Sequence, residues 1–259
     1  MVNLKKYNVL LQHFVLFLTF TLFLSCSQQK FYVSKIEGKQ IGVTTAQLQK
    51  PEIEDFIKPY RENIDKDLNT ILAYCTETLD KSKGEWQTNI GNLLADVTLQ
   101  KSNLIFEKRE KKPISFCLLN HGGIRAMIPK GDVTTRAAFE VMPFENSAVV
   151  IALNAAQINE IAQYIIKEKK PHPLAGMTFT ISKNGNPENI LIQGQPLTNN
   201  TIYYVVTSDY LANGGDNMVF FKNSSQRFDL DYKLRNILID YFKEVDTIPL
   251  IANKRIIVE

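Results

Sequence analysis

Residues Asn120–Val150 read NHGGIRAMIPKGDVTTRAAFEVMPFENSAVV, with two glycines ahead of an arginine and Pro-Phe-x-Asn about twenty residues later. Gly122 and Gly123 mark backbone that turns sharply or lets another group approach closely. Ile124 anchors the loop and leaves the planar guanidinium of Arg125 to point outward. Just upstream, ISFCLLN is a short buried strand that delivers its end to this loop. Just downstream of Phe144, SAVVIAL is a second buried strand, and Pro143 sets the backbone ahead of the aromatic ring.

A second loop of the same kind lies further on. TIYYVVT is a buried strand, and it runs into SDYLANGGDNM, where Tyr210 precedes Gly214 and Gly215 and Asp216 follows them. Together the two loops hold the groups a nucleotide site needs. Phe144 and Tyr210 offer two rings to sandwich a base, at about 1–3 kcal/mol per stacking contact, and the ring face of Tyr210 is expected to matter more than its hydroxyl. Arg125 carries a planar, permanently charged fork matched to phosphate oxygens. Asp216 accepts two hydrogen bonds, which suits the paired hydroxyls of a ribose. Asn120 and Asn146 each donate and accept, which suits a base edge. Each residue alone also has a plainer reading. Phe144 reads as core by burial statistics, Arg125 as a helix cap or surface ion pair, and Asp216 as an Asx turn. Their common place at the ends of buried strands weighs against that.

Outward from these loops the chain mixes helices and strands without regular alternation, which indicates an α+β layered domain. Phe31–Val43 alternates like a hairpin with EGKQ as its turn. Pro51 opens a helix with Ile53, Phe56, Ile57, Tyr60 and Ile64 on one face, and Pro59 should kink or break it. TILAYCTETL reads as a strand, and Asn89 as the cap of the helix IGNLLADVTLQ. NAAQINEIAQYIIKEKK is a helix burying Ile158, Ile161, Ala162 and Ile165, and MTFTIS and NILIQG form a hairpin. A last helix, DLDYKLRNILIDYFKEV, precedes a terminal strand, KRIIVE.

The N-terminus reads differently. Lys5 and Lys6 precede an apolar run that breaks into SQQK after Cys26. That is the anatomy of a signal peptide over residues 1–25, with an uncleaved membrane anchor as the alternative. Cys26 at the end of the run resembles the bacterial lipobox, whose cysteine is lipidated and becomes the first mature residue. Phe23 stands where leucine is commoner. Ser27 fits lipoproteins sent to the outer membrane. The body is therefore expected outside the cytoplasm, on a lipid anchor, with residues 26–42 as tether and hairpin and 43–259 as the domain. With 44% hydrophobic and 22% charged residues the composition is that of a soluble globular protein, and a net charge of +3 is too small to argue for nucleic acid. Cys75 and Cys117 are either a disulfide or two core thiols.

NHGGIR, GDVT, PFEN and SDYLANGGDNM, with NIGNLLADV upstream, resemble the C-terminal domain of the 5'-nucleotidases, a family that includes UDP-sugar hydrolases and 2',3'-cyclic nucleotide phosphodiesterases. The likeness covers roughly Val43 to Val245. It implies a four-layer α/β/β/α domain that binds a nucleotide, AMP-like or UDP-sugar-like. By the resemblance, Phe144 and Tyr210 stack the base, Asp216 holds the ribose, and Asn120 and Arg125 contact base and phosphate. Asn146 matches the asparagine two places after the first aromatic. The chain departs from the family in having tyrosine at 210, where phenylalanine is usual, and His121, where a small residue is commoner.

In that family the chemistry belongs to an N-terminal metallophosphatase domain with two metal ions, a site that needs several converging histidines and carboxylates. Beyond Cys26 this sequence has His121 and His172, and none of the D-x-H, G-H-x-H or N-H-D/E patterns. No cofactor is expected in this chain, and divalent metals are expected in a separate metallophosphatase polypeptide. The chain reads as the specificity half of a split 5'-nucleotidase, inactive alone. A non-catalytic lipoprotein that binds a nucleoside or nucleotide is the alternative.

Overall fold

The computed structural model describes residues 4–23, 31–42, 44, 50–249, 251 and 253–259, in two compact units, Met1–Pro51 and Glu52–Glu259. In the first unit Leu4–Phe23 forms helix α1. No helix among the described residues is long and apolar enough to cross a membrane. Cys26 and Ser27 lie outside the described residues. Residues 31–42 carry no strand, so the expected hairpin is not formed there, and Val43 is not described. Phe31, Tyr32, Val33, Ile36 and Ile41 are all exposed. A lone pair of strands with no layer to cover it is marginal in water, so alternation was an insufficient signal.

The second unit begins with α2 (Pro51–Leu68), β1 (Ile71–Cys75), α3 (Asn89–Glu110) and β2 (Phe116–Leu118). There follow β3 (Gly131–Thr134), α4 (Thr135–Val141), β4 (Ser147–Leu153) and α5 (Ala155–Glu168). Strands β5 (Leu174–Ala175), β6 (Met177–Ile181), β7 (Pro187–Ile192), β8 (Gln195–Pro196) and β9 (Tyr203–Ser208) come next. The chain ends with α6 (Asp209–Ala212), β10 (Arg227–Lys233), α7 (Leu234–Glu244), β11 (Thr247–Ile248) and β12 (Ile256–Val258).

Five strands in the order β10-β4-β9-β2-β5 make the central sheet. Its residues alternate between two cores, as the period of a strand requires. Ala148, Val150, Val206 and Cys117 face one core, with Leu93, Leu94 and Val97 of α3 and Leu234, Ile237 and Leu238 of α7. Val149, Ile151, Leu153, Val205, Phe116 and Leu118 face the other, with Ile158, Ile161 and Ile165 of α5 and Met177, Phe179 and Ile192 of a four-stranded sheet ordered β12-β6-β7-β8. This is the α/β/β/α arrangement. A small sheet, β11-β1-β3, extends the first core.

Several local expectations shift. Thr88 caps α3, its side chain accepting from the Gly91 amide, while Asn89 is the first helical residue and its Oδ1 accepts from the Asp80 amide. Pro59 sits inside an unbroken α2. The carbonyl it leaves without a partner, on Asp55, belongs to an exposed residue, where water can satisfy it. No residue of α2 is buried, and Ile53, Phe56, Tyr60 and Ile64 are exposed. DLDYK is strand, because Phe228 pairs with Val150 and Leu230 is buried while Asp229 is exposed. Helix α7 therefore starts only at Leu234. Cys75 and Cys117 are free, buried thiols, and burial pushes both pKa values up.

Register places the site. β2 runs parallel to β9, and β4 runs antiparallel to it with Ala148 opposite Ser208. The C-terminal ends of β2 and β9 and the N-terminal end of β4 therefore share one edge of the sheet, and the three loops of interest leave or enter there.

Candidate functional site

At that edge Asn120, Gly122, Gly123, Arg125, Phe144, Asn146, Tyr210 and Asp216 line one cleft of about 370 Å³. These residues come from three stretches up to about ninety positions apart, and the sheet register alone brings them together. Phe144 and Tyr210 are each about half exposed, at 47% and 45%, so both rings are accessible from the cleft they line. Gly214 and Gly215 do not line the cleft. Gly214 takes φ 84° ahead of the turn Gly215–Asn217, and Gly215 lies under the Tyr210 ring, where a Cβ would stand 2.4 Å from it. Their part is to let the ring lie against the backbone.

The Asn120, Arg125, Tyr210 and Asp216 side chains each have a fixed neighbour. The Asn120 amide donates to Asp216 Oδ2 at 2.6 Å, and a Cβ on Gly123 would come within 2.8 Å of Asn120 Oδ1. The Tyr210 hydroxyl donates to Asp216 Oδ1 at 2.9 Å and accepts from the Asp216 amide at 3.2 Å. Arg125 donates to Gly122 O at 3.4 Å and lies 5.9 Å from the Phe144 ring centre, so its fork stays beside the aromatic wall.

Sequence reasoning missed the residues behind this wall. Arg235, nearly buried at the start of α7, pairs with Glu145, donates to Pro143 O at 3.4 Å and stacks 4.1 Å from the Phe139 ring centre. Lys233 donates to Glu145 O at 2.6 Å and the Leu234 amide to Asn146 O at 3.0 Å. The junction of β10 and α7 thus holds the Phe144 loop on both sides of the ring. The Arg235 guanidinium beside Glu145 holds that carboxyl below its usual range. On the other flank, Tyr164 of α5 donates to Asp216 O at 2.7 Å. Burial first, then Glu168 and Asp216, push its phenol up to about 12, so it remains a donor.

His172 is 3% exposed, and its Nδ1 accepts from the His121 amide at 3.3 Å. Burial, with His121 nearby, pushes its pKa down to about 4. His121 is likewise lowered, chiefly by burial. His172 thus braces the 120–125 loop from behind, through the His121 amide. The cleft itself offers one carboxylate, Asp216, and no histidine, a donor set that does not fit a two-metal centre. Among the described residues no group of three or more His, Cys, Asp or Glu side chains is arranged to hold a metal.

The family model described as "5'-nucleotidase, C-terminal domain" matches residues 72–223. The trifunctional nucleotide phosphoesterase of Bacillus subtilis is 27% identical over 76% of this chain and 14% of its own length. The 5'-nucleotidase of Diplobatis ommata is 23% identical over 92% of this chain and 45% of its own. Among solved structures, the 5'-nucleotidase precursor of Thermus thermophilus superposes with a TM-score of 0.64 at 24% identity, over 79% of this chain and 42% of that one. The NAD nucleotidase of Haemophilus influenzae gives 0.62 at 15%, over 81% and 42%. The chain thus spans less than half the length of each of these proteins.

Proposed function

Because the chain belongs to the 5'-nucleotidase C-terminal domain family, we propose that its cleft holds a nucleotide and presents the phosphate to metal ions carried on a separate phosphatase chain. The convergence of the eight lining residues on one cleft carries this reading. Phe144 and Tyr210 would stack the base, Asp216 would accept from the ribose hydroxyls, and Arg125 would hold a phosphate oxygen. Asn120 and Asn146 would read the base edge. The metals would polarise the phosphoryl group and activate water, while this chain's residues hold the leaving nucleoside in place. The donor set of the cleft does not fit a two-metal centre, so in this reading the metals come from outside the cleft, and the apolar face that α2 exposes is a surface such a partner would cover. The reading includes a lipid anchor at Cys26 outside the cytoplasm, which a palmitate label lost in Cys26→Ala would report.

The decisive experiment assays this chain and purified candidate metallophosphatase chains, alone and mixed, with magnesium, manganese, zinc or calcium. Alone, this chain should hydrolyse no nucleotide above background. In the right mixture kcat/KM should rise for nucleotides and far less for an aryl phosphate, which cannot use base and ribose contacts for positioning. Robust metal-dependent hydrolysis by this chain alone overturns the reading. Tight nucleotide binding with no activation of any phosphatase would favour a capture protein instead.

A further inference from the structure

The tyrosine at 210 does something a phenylalanine cannot, and a second tyrosine fifty residues away acts on the same target. Asp216 sits at φ 50°, ψ 30°, in the left-handed region that a non-glycine residue enters at a cost. Such a conformation persists where surrounding groups over-determine it. Here they do, because every polar group of Asp216 has a partner. Its amide donates to the Tyr210 hydroxyl at 3.2 Å, and its carbonyl accepts from Tyr164 at 2.7 Å. Its Oδ1 accepts from Tyr210 at 2.9 Å and its Oδ2 from Asn120 at 2.6 Å.

The two tyrosines are themselves held. The Tyr210 ring lies against Gly215, where a Cβ would come within 2.4 Å. Tyr164 is wedged between His172 and Phe220, each with ring centres 5.5 Å away. A carboxylate oxygen accepts two hydrogen bonds. One position on each oxygen of Asp216 is taken within the protein, which leaves one on each for a ligand. Two adjacent acceptors at carboxylate spacing match a vicinal diol and leave an acceptor unpaired against a sugar that lacks it. Unpaired acceptors are what let a site reject a ligand missing a hydroxyl.

We infer that the Tyr210 and Tyr164 hydroxyls are positioning groups that set the sugar selectivity of this cleft, locking Asp216 to receive a riboside with both the 2' and 3' hydroxyls free. The inference rests on the nucleotide reading above and goes beyond it by giving the tyrosine hydroxyls a task separate from base stacking.

The test is calorimetry on the full chain in detergent, with AMP and 2',3'-dideoxy-AMP as probes, for wild type, Tyr210→Phe and Tyr164→Phe. Wild type should prefer AMP. Tyr210→Phe keeps the ring, so its affinity for the dideoxy compound should be unchanged while its affinity for AMP falls by roughly fivefold, the worth of one hydrogen bond. Tyr164→Phe should lower the AMP preference in the same direction. In the free protein, hydrogen exchange should show faster exchange of the Asp216 amide in Tyr210→Phe at unchanged melting temperature. Full retention of the AMP preference by both variants overturns the inference and leaves the nucleotide reading standing. Failure of wild type to bind either compound overturns the nucleotide reading, and the sugar-selecting role with it.

Discussion

A methyl group on Gly215 would stand 2.4 Å from the Tyr210 ring, so Gly215→Ala should push the ring off the backbone. The expected outcome is an AMP affinity lowered by roughly tenfold or more with the fold retained, measured by calorimetry beside circular dichroism. Phe144→Ala should weaken binding comparably, because it removes one stacking face. Arg125→Ala should instead reduce the preference for AMP over adenosine, by about 1.5–3 kcal/mol for a charged hydrogen bond. Unchanged discrimination would make Arg125 a purely structural residue. At this scale the sequence was legible for groups that announce themselves by type, such as the paired rings, the fork and the carboxylate. It was silent on the Tyr210 hydroxyl, since nothing in SDYLANGGD says that the ring's far end folds back on Asp216. The ring face remains the expected base contact at position 210, and the hydroxyl's bonds to Asp216 add the second role inferred above.

At the scale of elements, helix starts and strand pairing decide the outcome. Thr88→Ala should cost α3 about 1 kcal/mol, read as a lower urea midpoint with an unchanged slope. Asn89→Ala removes a bond to the Asp80 amide rather than the cap, so its effect should fall on the loop before the helix. For α2 the expected result is the reverse of a core helix. Phe56→Ser should leave the melting temperature within about a degree, because nothing on this helix is buried, yet it should reduce activation of a phosphatase partner. A large loss of stability would show that the face is covered within this chain. The segment DLDYK was misread because helix and strand periods overlap over five residues, and the deciding fact is the neighbouring strand β4.

For the whole molecule, pH is the sharpest probe. His172 has its pKa lowered from 6.5 to about 4, so it stays neutral in the fold while the unfolded chain protonates near its ordinary value. Between those values the unfolded state binds the extra proton, so stability is complete above about pH 6.5 and falls as pH drops towards 4. The shift corresponds to about 3 kcal/mol. Urea midpoints taken from pH 7 to pH 4 should decline, and His172→Gln should flatten that decline. His121, lowered in the same direction, adds a smaller part. An identical slope in the variant would assign the acid sensitivity elsewhere.

By itself the sequence determined the α+β class, the buried strand SAVVIAL, the amphipathic helix after it and the residue types that line the cleft. Those properties are carried by local period and residue type, and both are written along the chain. Tertiary structure alone decided that the ends of β2 and β9 and the start of β4 meet at one edge, because register is a relation between strands. It also decided which side chains brace the site, since Arg235 behind Phe144 and Tyr164 behind Asp216 lie about ninety and fifty residues from what they hold. The alternating segment at 31–42 shows the same division. Its pattern is that of a strand, and without a layer to bury one face the pattern produces none.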